Sequence, residues 1–237
     1  MRILGIESSS MTASVALVDS GITMAEYTVN FKKTHSQTLL PMIHQMVSLL
    51  EIELSTIDAI AVSGGPGSFT GLRIGSATAK GLGFALNKPL IHIPTLDATA
   101  YNLFGASGLI CPIMDARRNQ VYTGIYRFER EFEVVMEQAA MEIGELLSRL
   151  NACGERVIFL GDGVPVYEDR IREQMVQPFD FAPANDNRQR AASVAALGAV
   201  YYTAGKFETA AEHKPDYLRK SQAEREREEK EHMQKNT

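Results

Sequence analysis

One order of elements occurs twice along this chain, and few folds can use it. The runs "RILGIES", "SVALVDS" and "ITMAEYTVN" alternate with turn residues, the last two joined through Ser20-Gly21, and predict three antiparallel strands. A helix is predicted from about Ser36 to Leu50, then the strand "AIAVSGG" and a helix from Phe69 to Leu86. "PLIHIPT" and "LDATAYNLF" add a strand and a helix. From Leu109 the order restarts with "LICPIMDAR", "QVYTGIYRFE" and "FEVVMEQAA", with Arg118-Asn119 as the first turn. A helix at Ile143 to Leu150, the strand "RVIFLGDG" and a helix at about Val166 to Met175 complete it. Three strands, a helix, a strand and a helix, read twice, predict a duplicated α/β fold with its boundary near Ala106 to Leu109.

The expected units are therefore residues 1–106 and 107–218, the second ending in the apolar helix "AASVAALGAVYYTAG". Residues 219–237, "RKSQAEREREEKEHMQKNT", read as a charged tail, either a solvated helix or a segment that orders on a partner. A length of 237 residues with 45% hydrophobic and 22% charged side chains suits a buried core. The formal net charge of -5 argues against a self-sufficient nucleic-acid binder, so any RNA is expected to meet a partner first. Cys111 and Cys153 stand far apart, outside any CxxC, which predicts free thiols in a reducing cytosol. Neither a signal segment nor a membrane span is visible, so a cytoplasmic protein without a membrane role is expected.

"SGGPGSFTGLRIGSATAKGLG", from Ser63 to Gly83, has the glycine density of a phosphate loop, but its spacing fits none. Gly71 precedes Leu72 where a P-loop needs Lys, and Thr70 stands where a dinucleotide loop needs its third glycine. A nucleophile elbow fails too, because no serine here has glycines at the required offsets. What remains is a strand, a Gly-Gly-Pro-Gly turn and a helix, whose amides can meet an anion; Gly65, Gly67 and Ser68 are the candidates, with Glu7 and Ser9 from the first turn.

Within the helix, Gly71, Gly75, Ala79 and Gly83 recur every four residues and share one side. Each interior glycine costs about 1 kcal/mol relative to Ala. The stripe implies close backbone approach, either to the chain's own sheet or to a partner helix. On the preceding helix Leu39, Ile43, Met46 and Leu50 form one apolar line, and Leu40, Met42, Val47 and Leu49 widen it beyond a core-facing stripe. The partner reading makes Leu39, Leu40, Met42, Ile43, Met46, Val47, Leu50, Phe69, Leu72, Gly75 and Ala79 the candidate interface.

The histidines, His35, His44, His92, His213 and His232, form no H-x-x-x-H pair, so no metal site is expected. Glu7, Asp115 and Asp162 end apolar strands, where they either serve a crevice or cap turns and pair with Arg73, Arg117 or Arg118. "GIESSSMTASVAL" resembles the first phosphate hairpin of the actin, sugar-kinase and Hsp70 superfamily, although Ser9 replaces the usual glycine. The second half has "MDARRNQVY" where a matching hairpin would lie.

Together with "HSQTLLPMI", "IPTLDATA", "GDG" and "PDYLRKSQAERE", these segments resemble the bacterial TsaB family, also called YeaZ, nearly from end to end. The resemblance implies a duplicated actin-like (ASKHA) fold and a non-catalytic dimerisation subunit in the synthesis of N6-threonylcarbamoyladenosine at tRNA position 37. It implies TsaD, the catalytic paralogue, and TsaE, an ATPase, as partners, with tRNA reached through the complex and a homodimer as a further option. ATP and a metal are then expected in the partner subunits rather than in this chain. TsaD-type proteins follow the glycine segment with a motif like N-H-L-E-G-H, whose histidines bind metal; here Thr95 and Thr99 take those positions. In the family two N-terminal helices meet the equivalent pair on TsaD or on a second TsaB. The alternative activity is an actin-like ATPase or phosphotransferase using the Glu7 hairpin; a peptidase finds neither a zinc motif nor a nucleophile with its base.

Overall fold

The computed structural model describes residues 1–218, so the predicted charged tail lies outside the described residues. β1 (Arg2–Glu7), β2 (Thr12–Asp19) and β3 (Ile22–Asn30) form the expected meander, turning at Ser20 and Gly21, both with positive φ as a tight hairpin with the right twist requires. Then come α1 (His35–Leu49), β4 (Ala59–Gly65), α2 (Phe69–Leu86), β5 (Leu90–Pro94) and α3 (Thr95–Ala100). The second half contains β6 (Leu109–Asp115), β7 (Gln120–Phe128), β8 (Phe132–Glu142), α4 (Ile143–Cys153), β9 (Val157–Leu160), α5 (Val164–Gln174), β10 (Phe179–Phe181) and α6 (Ala191–Thr203).

Duplication is explicit in the sheets, whose orders are β3-β2-β1-β4-β5 and β8-β7-β6-β9-β10. In the first, β1 pairs antiparallel with β2 from Arg2 opposite Asp19 to Glu7 opposite Ser14, and parallel with β4 from Ile3 opposite Ala59. In the second, β6 pairs antiparallel with β7 and parallel with β9. Phe179–Phe181, a strand of only three residues directly after Pro178, is too short to show an alternating pattern and is an element the sequence reading missed.

Burial explains the strand sequences. β4, AIAVSGG, is buried along its whole length because helices cover both faces of its sheet. On one face α1 and α2 meet Leu4, Ile6, Ile60 and Val62; on the other, α6 brings Val194, Ala195 and Leu197 against Ile3, Ala61 and Ile91. Although α6 follows the second half in sequence, it packs on the first sheet, close enough that a side chain at Gly5 would strike the backbone of Ala191. α3 makes the opposite crossing, touching β6 and β7. These exchanged helices tie the two halves together. Both cysteines are free; burial of Cys111 pushes its thiol up to about 12, whereas Cys153 is exposed at the end of α4.

Candidate functional site: a closed hairpin and an open helix face

The turn between β1 and β2 carries the residues expected to meet an anion, and their polar groups are directed inward. Glu7 is buried, and its carboxylate accepts hydrogen bonds from Ser9 N (2.6 Å), Ser9 Oγ (2.5 Å) and Ser63 Oγ. Burial raises its pKa and these donors only partly offset that. Ser8 Oγ donates to Gly71 O (2.9 Å), Ser68 N donates to Ser9 O (2.6 Å), and Ser10 Oγ donates to Gln189 Oε1 (3.3 Å). Side chains at Gly67 and Gly65 would strike Ser9 O and Asp216 O respectively. The structure thus brings Glu7, Ser9, Gly65, Gly67 and Ser68 together, as the sequence suggested, but the glycines admit the chain's own backbone. Ser68 also caps α2, accepting from Gly71 N at 3.3 Å.

Opposite the hairpin, Asp162 accepts from Gln189 Nε2 (3.1 Å), and its pKa is raised chiefly by burial. Asp115 caps its turn by accepting from Arg117 N (2.8 Å) and from Tyr167 Oη (3.0 Å), the structural role weighed above for such carboxylates. α3 starts directly after β5 with Thr95 and Thr99 one turn apart and buried. Thr99 Oγ1 donates to Thr95 O (2.7 Å), a bond within the helix. Between them Asp97, unnoticed in the sequence, accepts from Tyr126 Oη of β7 (2.8 Å) and Tyr201 Oη of α6 (3.4 Å). Burial lifts its pKa to about 6.

The glycine stripe resolves toward internal packing, which corrects the partner-helix reading of those positions. Side chains at Gly71 and Gly75 would collide with the backbone oxygen and the hydroxyl of Ser8, and one at Gly83 with Leu90. Leu39, Ile43, Met46, Val47, Leu72, Gly75 and Ala79 are all buried inside this chain, so these candidate interface residues build its core instead. The stripe correctly signalled close backbone approach, but the approaching group is the β1-β2 turn. Met42 and Leu50 are half-buried against the same core. Phe69 is half-covered by Tyr217, with ring centres 4.6 Å apart, and by the Arg73 guanidinium 3.9 Å above it.

A different face remains open. Leu40 is 52% exposed and Leu49 71% on α1; Phe84 is 64% exposed on α2. Thr70, Arg73, Ala77, Gly81 and Phe84 follow one outward line of α2, and a side chain at Gly81 would meet nothing. Outward, α2 thus sets Phe84 beside the small residues Ala77 and Gly81, a relief into which another helix can pack, while Leu40 and Leu49, nine residues apart, stand exposed on the two opposite flanks of α1. Leu49 and Phe84 both had a signal in the sequence: Leu49 is one of the residues that widen the apolar line of α1, and Phe84 lies opposite the buried line of α2.

Fold, closed hairpin and open helix face define the class: a duplicated actin-like fold whose first hairpin is hydrogen-bonded inward. Solved structures agree, since YeaZ from Pseudomonas aeruginosa superposes with a TM-score of 0.78 at 27% identity, covering 92% of this chain and 99% of that one. The ROK hexokinase of Thermus thermophilus, at TM-score 0.52 and 12% identity over 86% of this chain and all of that one, shares the fold. A family model described as TsaD, tRNA N6-adenosine threonylcarbamoyltransferase, matches residues 25–227. The Bacillus subtilis protein named tRNA threonylcarbamoyladenosine biosynthesis protein TsaB is 34% identical over 228 residues, spanning 94% of this chain and 96% of that one. The chain belongs to the TsaB branch of this family.

Proposed function

We propose that this chain is a non-catalytic subunit of the cytoplasmic machinery that makes N6-threonylcarbamoyladenosine in tRNA, binding TsaD through the outer faces of α1 and α2. One observation carries the reading: the exposed Phe84 beside Ala77 and Gly81 on the outer side of α2, next to an α1 that leaves Leu40 and Leu49 exposed on its flanks, on helices whose inner faces are used by the core. Thr95 and Thr99, hydroxyl side chains where the catalytic paralogue has metal-binding imidazoles, support a supporting rather than a transferring role. The inward hydrogen bonds of Ser8, Ser9 and Ser68 leave the hairpin few donors for a phosphate, which weighs against the ATPase reading. TsaE and tRNA then reach this chain through TsaD.

The test uses Gly81→Arg, because a side chain there enters open space and leaves the fold intact. Calorimetric titration with purified TsaD should show affinity weakened by at least tenfold. In a reaction with TsaD, threonylcarbamoyl-AMP and tRNA, the wild-type chain should raise modified tRNA and the variant should not. Equal yield without this chain would overturn the accessory role; equal binding by the variant would overturn the surface.

A further inference from the structure

Beside the glycine turn that follows β4, the chain gathers a group of metal-ligating side chains that its sequence spacing conceals. One ligand atom from each of His92, Glu208 and His213 lies within 4.8 Å of the others. His92 sits on β5, its ring resting on Gly64, where any side chain would displace it. Glu208 reaches the same place because Leu90 and Glu208 exchange backbone hydrogen bonds, each of 2.9 Å, extending the sheet edge by one residue. Asp216 adds a second carboxylate, its Oδ2 3.3 Å from His92 Nε2. That separation is about the edge of a tetrahedron of zinc–ligand bonds.

His213 supplies the sharpest sign. Its residue is 1% exposed, its Nδ1 lies 2.7 Å from Glu208 Oε1, and its Nε2 is buried without any hydrogen-bond partner. A carboxylate only accepts, so Nδ1 carries the proton and Nε2 of the neutral ring keeps a bare lone pair. Carboxylates hold zinc-bound histidines from behind in this way. The Lys80 ammonium is turned toward backbone, donating to Ala211 O (3.2 Å) and His213 O (3.0 Å), and two carboxylates outweigh its charge.

We propose that His92 and His213, with Asp216 alongside and Glu208 holding the His213 ring from behind, form a site for a borderline divalent cation of the zinc class. Two imidazoles with carboxylate oxygens suit zinc, cobalt or nickel better than magnesium or calcium. Such an ion pins residues 206–216, which arrive from the far end of the chain, onto β5 of the first half. From there Tyr217 continues to Phe69 at the start of α2, so the ion would also steady the rim of the open helix face.

Chelator-stripped full-length chain, titrated with Co²⁺ and then Zn²⁺, should take one ion per chain, give visible bands of a low-symmetry nitrogen- and oxygen-ligated cobalt, and gain thermal stability with zinc. His92→Ala and Glu208→Gln should each weaken binding by at least about tenfold and abolish the thermal gain. His44→Ala, on the exposed side of α1, should change neither. Should His213→Gln fail to fold, the half-buried His92 and Glu208 decide the matter. Absence of a one-to-one ion in the wild-type chain, or unchanged affinity in folded His92→Ala, overturns the site.

Discussion

The two halves share strand order and pairing, yet they finish their outer helices in opposite ways. α4 and α5 cover themselves with ion pairs, Arg149 to Glu145 (2.7 Å), Arg172 to Glu168 (2.7 Å) and Arg170 to Glu142 (2.8 Å). α1 and α2, at the matching places, carry Leu40, Leu49 and Phe84 and no acidic residue between His35 and Leu49 or between Phe69 and Leu86. Their turns diverge as well. The first is buried and bonded inward, whereas Arg117, Arg118 and Asn119 of the second all hold positive φ at the rim of an open depression. A duplicated fold can keep one copy solvated and leave the other surface for a partner, because the inner faces alone specify the architecture.

The comparison breaks most severely at the inner face of α2. Gly75→Leu should clash with Ser8 and destabilise the chain by several kcal/mol, with about 3 kcal/mol as the usual upper range for an overpacked core, read as a lower urea midpoint. Gly81→Leu, two turns away on the outer side, should leave that midpoint nearly unchanged.

Asp97 gives an effect of similar size that depends on pH. Its carboxyl is raised from 3.8 to about 6 in the fold, so between those values the folded chain keeps a proton that the unfolded chain has lost. Stability should therefore fall as pH rises from about 4 to 6, by roughly 3 kcal/mol if the shift is fully expressed. Asp97→Asn should flatten that slope in urea titrations at each pH; an unchanged slope would assign it to other groups.

At the open face, the double change Leu40→Asp with Phe84→Asp should cost about 2 kcal/mol or more in TsaD binding while the urea midpoint holds. Val166→Asp on the exposed side of α5 should leave binding as it was. The smallest effect is expected at Glu145→Ala, where losing an exposed i,i+4 pair with Arg149 should cost no more than about 0.5 kcal/mol in stability and nothing in binding.

Much of this architecture is legible in the sequence, for local reasons. Alternating apolar runs located nine of the ten strands among the described residues, and α2 begins at Phe69 and ends at Leu86 as its periodicity predicts. The direction in which a stripe faces is a different matter. Gly71 and Gly75 announce that something comes close, but only the fold shows that it is Ser8, on a turn more than sixty residues earlier. Asp97 and His213 were illegible for the same reason, since their partners Tyr126, Tyr201, His92 and Glu208 lie on distant segments or carry no local pattern. The return of α6 to the first sheet likewise leaves no mark in its own sequence, which is apolar on nearly every side.

Hydrogen exchange of this chain, alone and bound to TsaD, tests the central claim most directly. Added protection should fall on α1 and α2 and spare α4 and α5. Protection on α4 and α5, or none on α1 and α2, would contradict the assignment of the open face to the partner.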